Sequence, residues 1–257
     1  MRQVATSPDG NSIAYDVDGA GEPALVFVHG WSCDRSYWAA QMASFRKRHR
    51  VVTVDLAGHG ESGTDRADWT MAAFGADVVA VVDQLGLDRV VLVGHSMGGD
   101  VIVESALTLG DKVAAVVWVD TYTTLENPDT REEVLAFIEP FRRDFGGQVD
   151  ALMRRYSAPS TDPALLDWII ADMSAAPQAI ALNAMEHSIG NQGPIRDQLL
   201  RLEAPAFAIN PSDGTTDVDS LARHGVRYVE ITDVGHFVMM EDPAQFDRLL
   251  GQIVAGL

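Results

Sequence analysis

The chain has 257 residues, with 37 acidic against 19 basic side chains and a formal net charge of −18. That length builds a full core and at most two domains, and 47% hydrophobic with 22% charged residues is the composition of a soluble globular protein. So acidic a chain lacks the basic footprint that nucleic-acid binding requires, and no run approaches the about 18 consecutive apolar residues of a membrane span. Neither a nucleic acid nor a membrane is therefore an expected partner.

The segment Met1 to Pro8 lacks the apolar core of a signal peptide. The single cysteine, Cys33, cannot form an internal disulfide. Both fit a reducing compartment, and a cytoplasmic location is expected. The one basic cluster, Arg46-Lys47-Arg48-His49-Arg50, precedes an apolar strand and reads as a solvated helix end.

Strands and helices alternate along the chain. Ser12 to Val17 follows the turn Pro8-Asp9-Gly10-Asn11 and reads as one arm of an antiparallel hairpin. Ala24 to Val28 is a continuous apolar strand and Val51 to Val54 another buried strand, with a helix over Tyr37 to Phe45 between them. A helix over Phe74 to Leu85 leads to the strand Val90 to Val93, and a further helix runs from Asp100 to Leu109. Val113 to Val119, Ala206 to Ile209 and Arg227 to Ile231 are further strands, and Pro243 starts a closing helix over Ala244 to Val254. Apolar strands separated by helices predict an α/β fold with a mostly parallel sheet covered on both faces.

One stretch breaks this rhythm. Between Tyr122 and about Leu202 apolar residues recur at helical spacing, as in Val134, Phe137, Ile138 and Phe141. Prolines 128, 140, 159, 163, 177 and 194 punctuate the pieces. The reading is a helical lid over 122–202, inserted in a core domain made of 1–121 and 203–257.

The run Val90-Val91-Leu92-Val93-Gly94-His95-Ser96-Met97-Gly98-Gly99 carries the chemistry. Gly94 to Gly98 matches the G-x-S-x-G elbow, in which a sharp strand-to-helix turn exposes a serine at a helix N-terminus. A hydroxyl is a weak nucleophile and needs a base. His236, between the last strand and the last helix, is the candidate. A base needs an acid to hold its tautomer, and three are open: Asp213 first, Asp120 second and Asp217 third. Asp213 follows a strand and gives the chain order Ser, Asp, His; Asp120 ends the strand beside the serine strand; Asp217 can instead cap a helix beginning near Val218. Backbone amides of Trp31, after His29-Gly30, and of Met97 are the candidate oxyanion hole.

Other polar residues take structural readings. Asp55 to Ser62 reads as a turn held by its own aspartate and glycines, His95 as a structural hydrogen-bonder, and Cys33 as a small hydrophobe. His187 beside Glu186 has no recurring metal-ligand spacing nearby, and no dinucleotide or P-loop pattern occurs, so no metal or cofactor is expected.

Taken together, His29-Gly30-Trp31, Asp55 to Ser62, Gly94 to Gly99 and Gly235-His236-Phe237 make the chain resemble the α/β-hydrolase superfamily over essentially its whole length. The resemblance implies an eight-stranded, mostly parallel sheet with a helical cap inserted after the sixth strand. It implies Ser96 as nucleophile, His236 as base, and an acid after the seventh or the sixth strand; Asp120 corresponds to the latter position. Dehalogenases and epoxide hydrolases of this fold carry aspartate where this chain has Ser96, so a serine hydrolase is implied. Apolar lid residues such as Phe137, Phe141, Trp168 and Met185 point to a small or medium hydrophobic ester as substrate. A monomer or small homo-oligomer is expected. The same fold also hosts lactonases, carbon–carbon bond hydrolases, perhydrolases, aminopeptidases and ligand receptors.

Overall fold

The computed structural model describes residues 3–257. Eight strands form one sheet: β1 (Gln3–Thr6), β2 (Ser12–Asp18), β3 (Ala24–Val28), β4 (Val51–Val54), β5 (Val90–His95), β6 (Val113–Val119), β7 (Ala206–Pro211) and β8 (Val226–Ile231). Their order is β1-β2-β4-β3-β5-β6-β7-β8. β1 pairs antiparallel with β2, and β2 antiparallel with β4; every pairing from β4 to β8 is parallel.

Successive strand residues point to opposite faces, so a strand buried at every position is covered on both sides. β3, β4 and β5 are buried throughout, which follows from their largely apolar sequences. The layers over the sheet include α1 (Ala39–Phe45), α2 (Met71–Gln84), α3 (Met97–Leu109) and α11 (Pro243–Ala255). α2 lies along α3, and α1 packs with α11. The α2–α3 approach is close enough that a Cβ on Gly75 would stand 2.7 Å from the Glu104 Cβ.

Both α2 and α3 begin one turn earlier than the apolar periodicity predicts. Thr70 caps α2 by accepting from the Ala73 amide at 3.1 Å. α3 starts directly after Ser96, because the two glycines at its head are chosen for close packing and carry no hydrophobic signal.

Between β6 and β7 the chain forms α4 (Arg131–Arg143), α5 (Phe145–Tyr156), α6 (Pro163–Ser174), α7 (Gln178–Ile189) and α8 (Pro194–Arg201). Thr130 and Glu133 make a reciprocal capping box at the head of α4, and Asp144 and Asp162 cap α5 and α6. α4, α5 and α6 follow one another in contact, α7 returns against α4 and reaches α2 and α3, and α8 lies against α3. After β7 come α9 (Val218–Arg223) and, after β8, the short α10 (Val238–Glu241). Among the described residues no single helix is long and apolar enough to cross a membrane.

Candidate active site

The turn between β5 and α3 holds Ser96 at φ 50° and ψ −121°, a backbone conformation that costs a non-glycine residue about 1–3 kcal/mol. Hydrogen bonds hold it there: the Ser96 amide donates to the Val119 carbonyl at 3.0 Å, and the Gly99 amide donates to the Ser96 carbonyl at 2.8 Å. The flanking glycines are needed for space. A Cβ on Gly94 would stand 2.2 Å from the Gly98 carbonyl oxygen, and one on Gly98 would stand 2.6 Å from the carbonyl oxygens of Val28 and His29.

His236 lies in the loop after β8, and its Nδ1 meets Asp120 Oδ2 at 2.6 Å. A carboxylate accepts only, so Nδ1 carries the proton and Nε2 is left as the ring's free acceptor. Asp120 sits just past β6 at φ 46°, with its amide donating to the Ile209 carbonyl on β7 at 3.0 Å. The histidine loop is fixed by its own contacts. The His236 amide donates to the Tyr156 carbonyl at 2.9 Å, and the Glu241 carboxylate accepts from the amides of Gly235 (2.9 Å) and Phe237 (3.2 Å).

The acid ranked first in the sequence is not the one that meets His236. The Asp213 carboxylate is exposed and turned back on its own loop, accepting from the Thr215 amide at 2.9 Å and hydroxyl at 2.7 Å. Among the described residues it makes no hydrogen bond to His236. The reason is local: an aspartate two residues before a threonine in a Gly-containing turn satisfies itself there. Asp217 caps α9 through the Ser220 amide at 2.9 Å. Asp120, the second choice, is the acid that meets His236.

His95 is buried beside His236. Its Nε2 donates to the His236 carbonyl at 3.0 Å, and the two rings stand 4.6 Å apart. Burial holds its pKa well below the usual histidine value, so it stays neutral. The Asp55 carboxylate likewise holds the Asp55–Ser62 turn, accepting from the Glu61 and Arg35 amides at 2.8 Å each, and Arg35 pairs with it. Cys33 is buried, donates to the Trp31 carbonyl at 3.3 Å, and burial pushes its thiol pKa well up.

Trp31 and Met97 both line the cavity that contains Ser96 and His236. Met97 is the first residue of α3, so its amide has no acceptor within the helix. The Trp31 side chain reaches into the inserted helices, its indole N–H donating to the Ala181 carbonyl at 2.7 Å and its ring meeting Phe141 and Phe145 edge-on.

The cavity has a volume of about 390 Å³ and passes from Ser96, His95 and His236 to Leu152, Met153, Met173 and Met185 of the insertion. Two residues that hold its surroundings carried no signal in the sequence reading. One is Glu241, described above. The other is Asp100, fully buried in the first turn of α3, whose carboxylate accepts from Tyr122 Oη, Asn191 Nδ2 at 2.8 Å and Ser188 Oγ at 3.1 Å. Burial pushes the Asp100 carboxyl up to about 6 against the opposing pull of those three donors. An acid directly after an elbow's glycines was the available clue.

Residues 25–249 match the sequence profile of the Alpha/beta hydrolase family. The chain belongs to this family. It is 29% identical over 225 residues to a bifunctional esterase/perhydrolase of Acinetobacter calcoaceticus, covering 81% of this chain and 80% of that protein. A solved thermophilic esterase from Thermogutta terrifontis has the same fold, with a TM-score of 0.85, 25% identity, and 100% of this chain and 98% of that one covered. The dihydrolipoyllysine-residue acetyltransferase component of the acetoin cleaving system of Cupriavidus necator is 32% identical over 111 residues, and the chain spans only 30% of its length. Family membership and esterase relatives support a hydrolase.

Proposed function

We propose that the chain is a serine carboxylesterase for small or medium hydrophobic esters, working through an acyl-enzyme on Ser96. The observation that carries this reading is that a strained serine elbow and a carboxylate-bound histidine open on one largely apolar cavity. Its volume of about 390 Å³ lies within the range of small-molecule sites, about 300–1,000 Å³.

In this reading Ser96 Oγ attacks the ester carbonyl while His236 Nε2 takes its proton. Asp120, accepting from Nδ1–H, keeps the ring in that tautomer and stabilises the imidazolium that forms. The Trp31 and Met97 amides receive the oxyanion, aided by the N-terminus of α3. His236 then protonates the departing alkoxide. Water, deprotonated by the same nitrogen, attacks the acyl-enzyme, and the acid leaves as Ser96 regains its proton. Residues 122–202 act as the lid that shapes the acyl pocket.

The test is the initial hydrolysis rate on p-nitrophenyl esters of rising chain length, with Ser96→Ala as control. Turnover that peaks at short or medium acyl chains and vanishes in the variant is expected. No turnover across that panel, together with turnover of a vinylogous diketone or a peptide amide, would overturn the ester assignment.

A further inference from the structure

We propose that the cavity selects its substrate by charge: it takes an acyl chain whose far end is uncharged and rejects one that ends in a carboxylate. This rests on the ester-hydrolase reading of the same site.

The walls beyond the Ser96 end are mostly thioether and hydrocarbon, with Met153, Met173, Met185, Phe137, Leu152 and Ile189 in contact with the cavity; the polar Ser188 and Gln192 also line it, but they donate to Asp100 at 3.1 Å and to Asp129 at 3.3 Å. Methionines make such a wall adaptable in shape, but they offer an anion no donor. Among the described residues no lysine or arginine lines the cavity. The arginines of α4 are directed elsewhere: Arg131 and Arg142 reach Glu186 at 3.5 and 3.8 Å, and Arg143 pairs with Glu139 at 2.9 Å. Arg155 stands 6.0 Å from the centre of the Tyr156 ring and is exposed, with Tyr156 between the two environments as a cavity wall.

The charged groups that do line the cavity are both acids. Asp129 and Glu133 come from the head of α4 and are exposed, so they stand where the cavity meets solvent. Each is held in place. The Asp129 amide donates to Gln192 Oε1 at 3.2 Å while Gln192 Nε2 donates to Asp129 Oδ2 at 3.3 Å. Glu133 accepts from the Thr130 amide at 2.8 Å and hydroxyl at 2.7 Å, bonds that favour its ionised form and lower its pKa.

Two effects follow for a substrate. A carboxylate moved from water to these walls loses its hydration and meets no cation, which should lower kcat/KM at least about 100-fold. The two mouth carboxylates add a repulsion worth about threefold each, reduced by salt because they are exposed. A terminal ammonium also loses hydration, yet the same two carboxylates attract it, so it falls between the neutral and the anionic chain.

The experiment compares kcat/KM for three esters with a six-carbon acyl chain: p-nitrophenyl hexanoate, the mono-p-nitrophenyl ester of adipate, and p-nitrophenyl 6-(trimethylammonio)hexanoate. The expected order is hexanoate, then ammonium, then adipate, with adipate at least about 100-fold below hexanoate. Asp129→Asn should raise the adipate-to-hexanoate ratio about threefold, and an unchanged or lower ratio overturns the part given to the mouth. An adipate ester turned over within about threefold of hexanoate overturns the inference. If no ester is turned over, the ester reading fails and the cavity is judged by binding alone. Calorimetric Kd values of Ser96→Ala for hexanamide, adipate monoamide and 6-(trimethylammonio)hexanamide then either repeat the order, which supports the inference, or come out equal, which overturns it.

Discussion

Ser96, Asp120 and His236 stand on turns that follow β5, β6 and β8, and backbone contacts fix each of them. Val134, Phe137, Met153 and Met185, which line the other part of the same cavity, stand on α4, α5 and α7 and are held by side-chain packing. The first region tolerates little change of shape, since a Cβ added at Gly94 or Gly98 would stand 2.2–2.6 Å from backbone atoms. The second is amphipathic, and Phe137 is 38% exposed. In the proposed reading, a reaction centre that needs atoms held in register is built on strand ends, and a pocket that needs only the right volume and polarity is built on helices.

The largest effect should come from breaking the strand-end region chemically. Ser96→Ala and His236→Ala are each expected to lower kcat by at least about 10⁴-fold, with the double variant little worse than either, because the pair acts as a unit. Ester hydrolysis rates and a thermal melt separate this loss from unfolding. Breaking the same region sterically is next. Gly98→Ala forces a Cβ against two carbonyl oxygens and should cost about 3 kcal/mol or more of stability, measured by urea unfolding.

Asp100 joins the two regions, and its pH behaviour sharpens the contrast. Its folded pKa of about 6 lies above the unfolded value of about 3.9, so between them the folded state binds the extra proton. Its contribution to stability is present below about pH 4 and is lost as the pH rises through about 6. Relative to Asp100→Asn, the unaltered protein should therefore lose on the order of 1–3 kcal/mol between about pH 4 and about pH 7.5, by urea unfolding at both. The smallest effect belongs to the helical region alone. Phe137→Ala should change stability by under about 1 kcal/mol and raise KM for a hexanoate ester about two- to fivefold with kcat nearly unchanged.

The same contrast explains what was legible beforehand. The elbow could be read because its demands fall on five consecutive residues, and the middle of the sheet because strands such as β3 and β6 are unbroken apolar runs, whereas the polar edge strand β1 (Gln3–Thr6) gave no such signal. The helices of the insertion showed their spacing and their prolines, but not which side chains face the cavity, since that depends on how α4 and α7 pack. Which acid meets His236 was illegible for a different reason. Asp120 and Asp213 both follow sheet strands, and only the placement of the loop after β8 decides which one meets His236. The roles of Asp100 and Glu241 were hard to read because their partners are remote or are backbone amides: Asp100 is bound from positions 122, 188 and 191.

The proposal that Ser96, His236 and Asp120 form one catalytic unit is tested most directly by kcat/KM for p-nitrophenyl hexanoate in Asp120→Asn beside Asp213→Asn. A fall of about 10³- to 10⁴-fold in Asp120→Asn, with Asp213→Asn within about twofold of the unaltered protein, is the predicted result. Near-full activity in Asp120→Asn with the large loss in Asp213→Asn would contradict it.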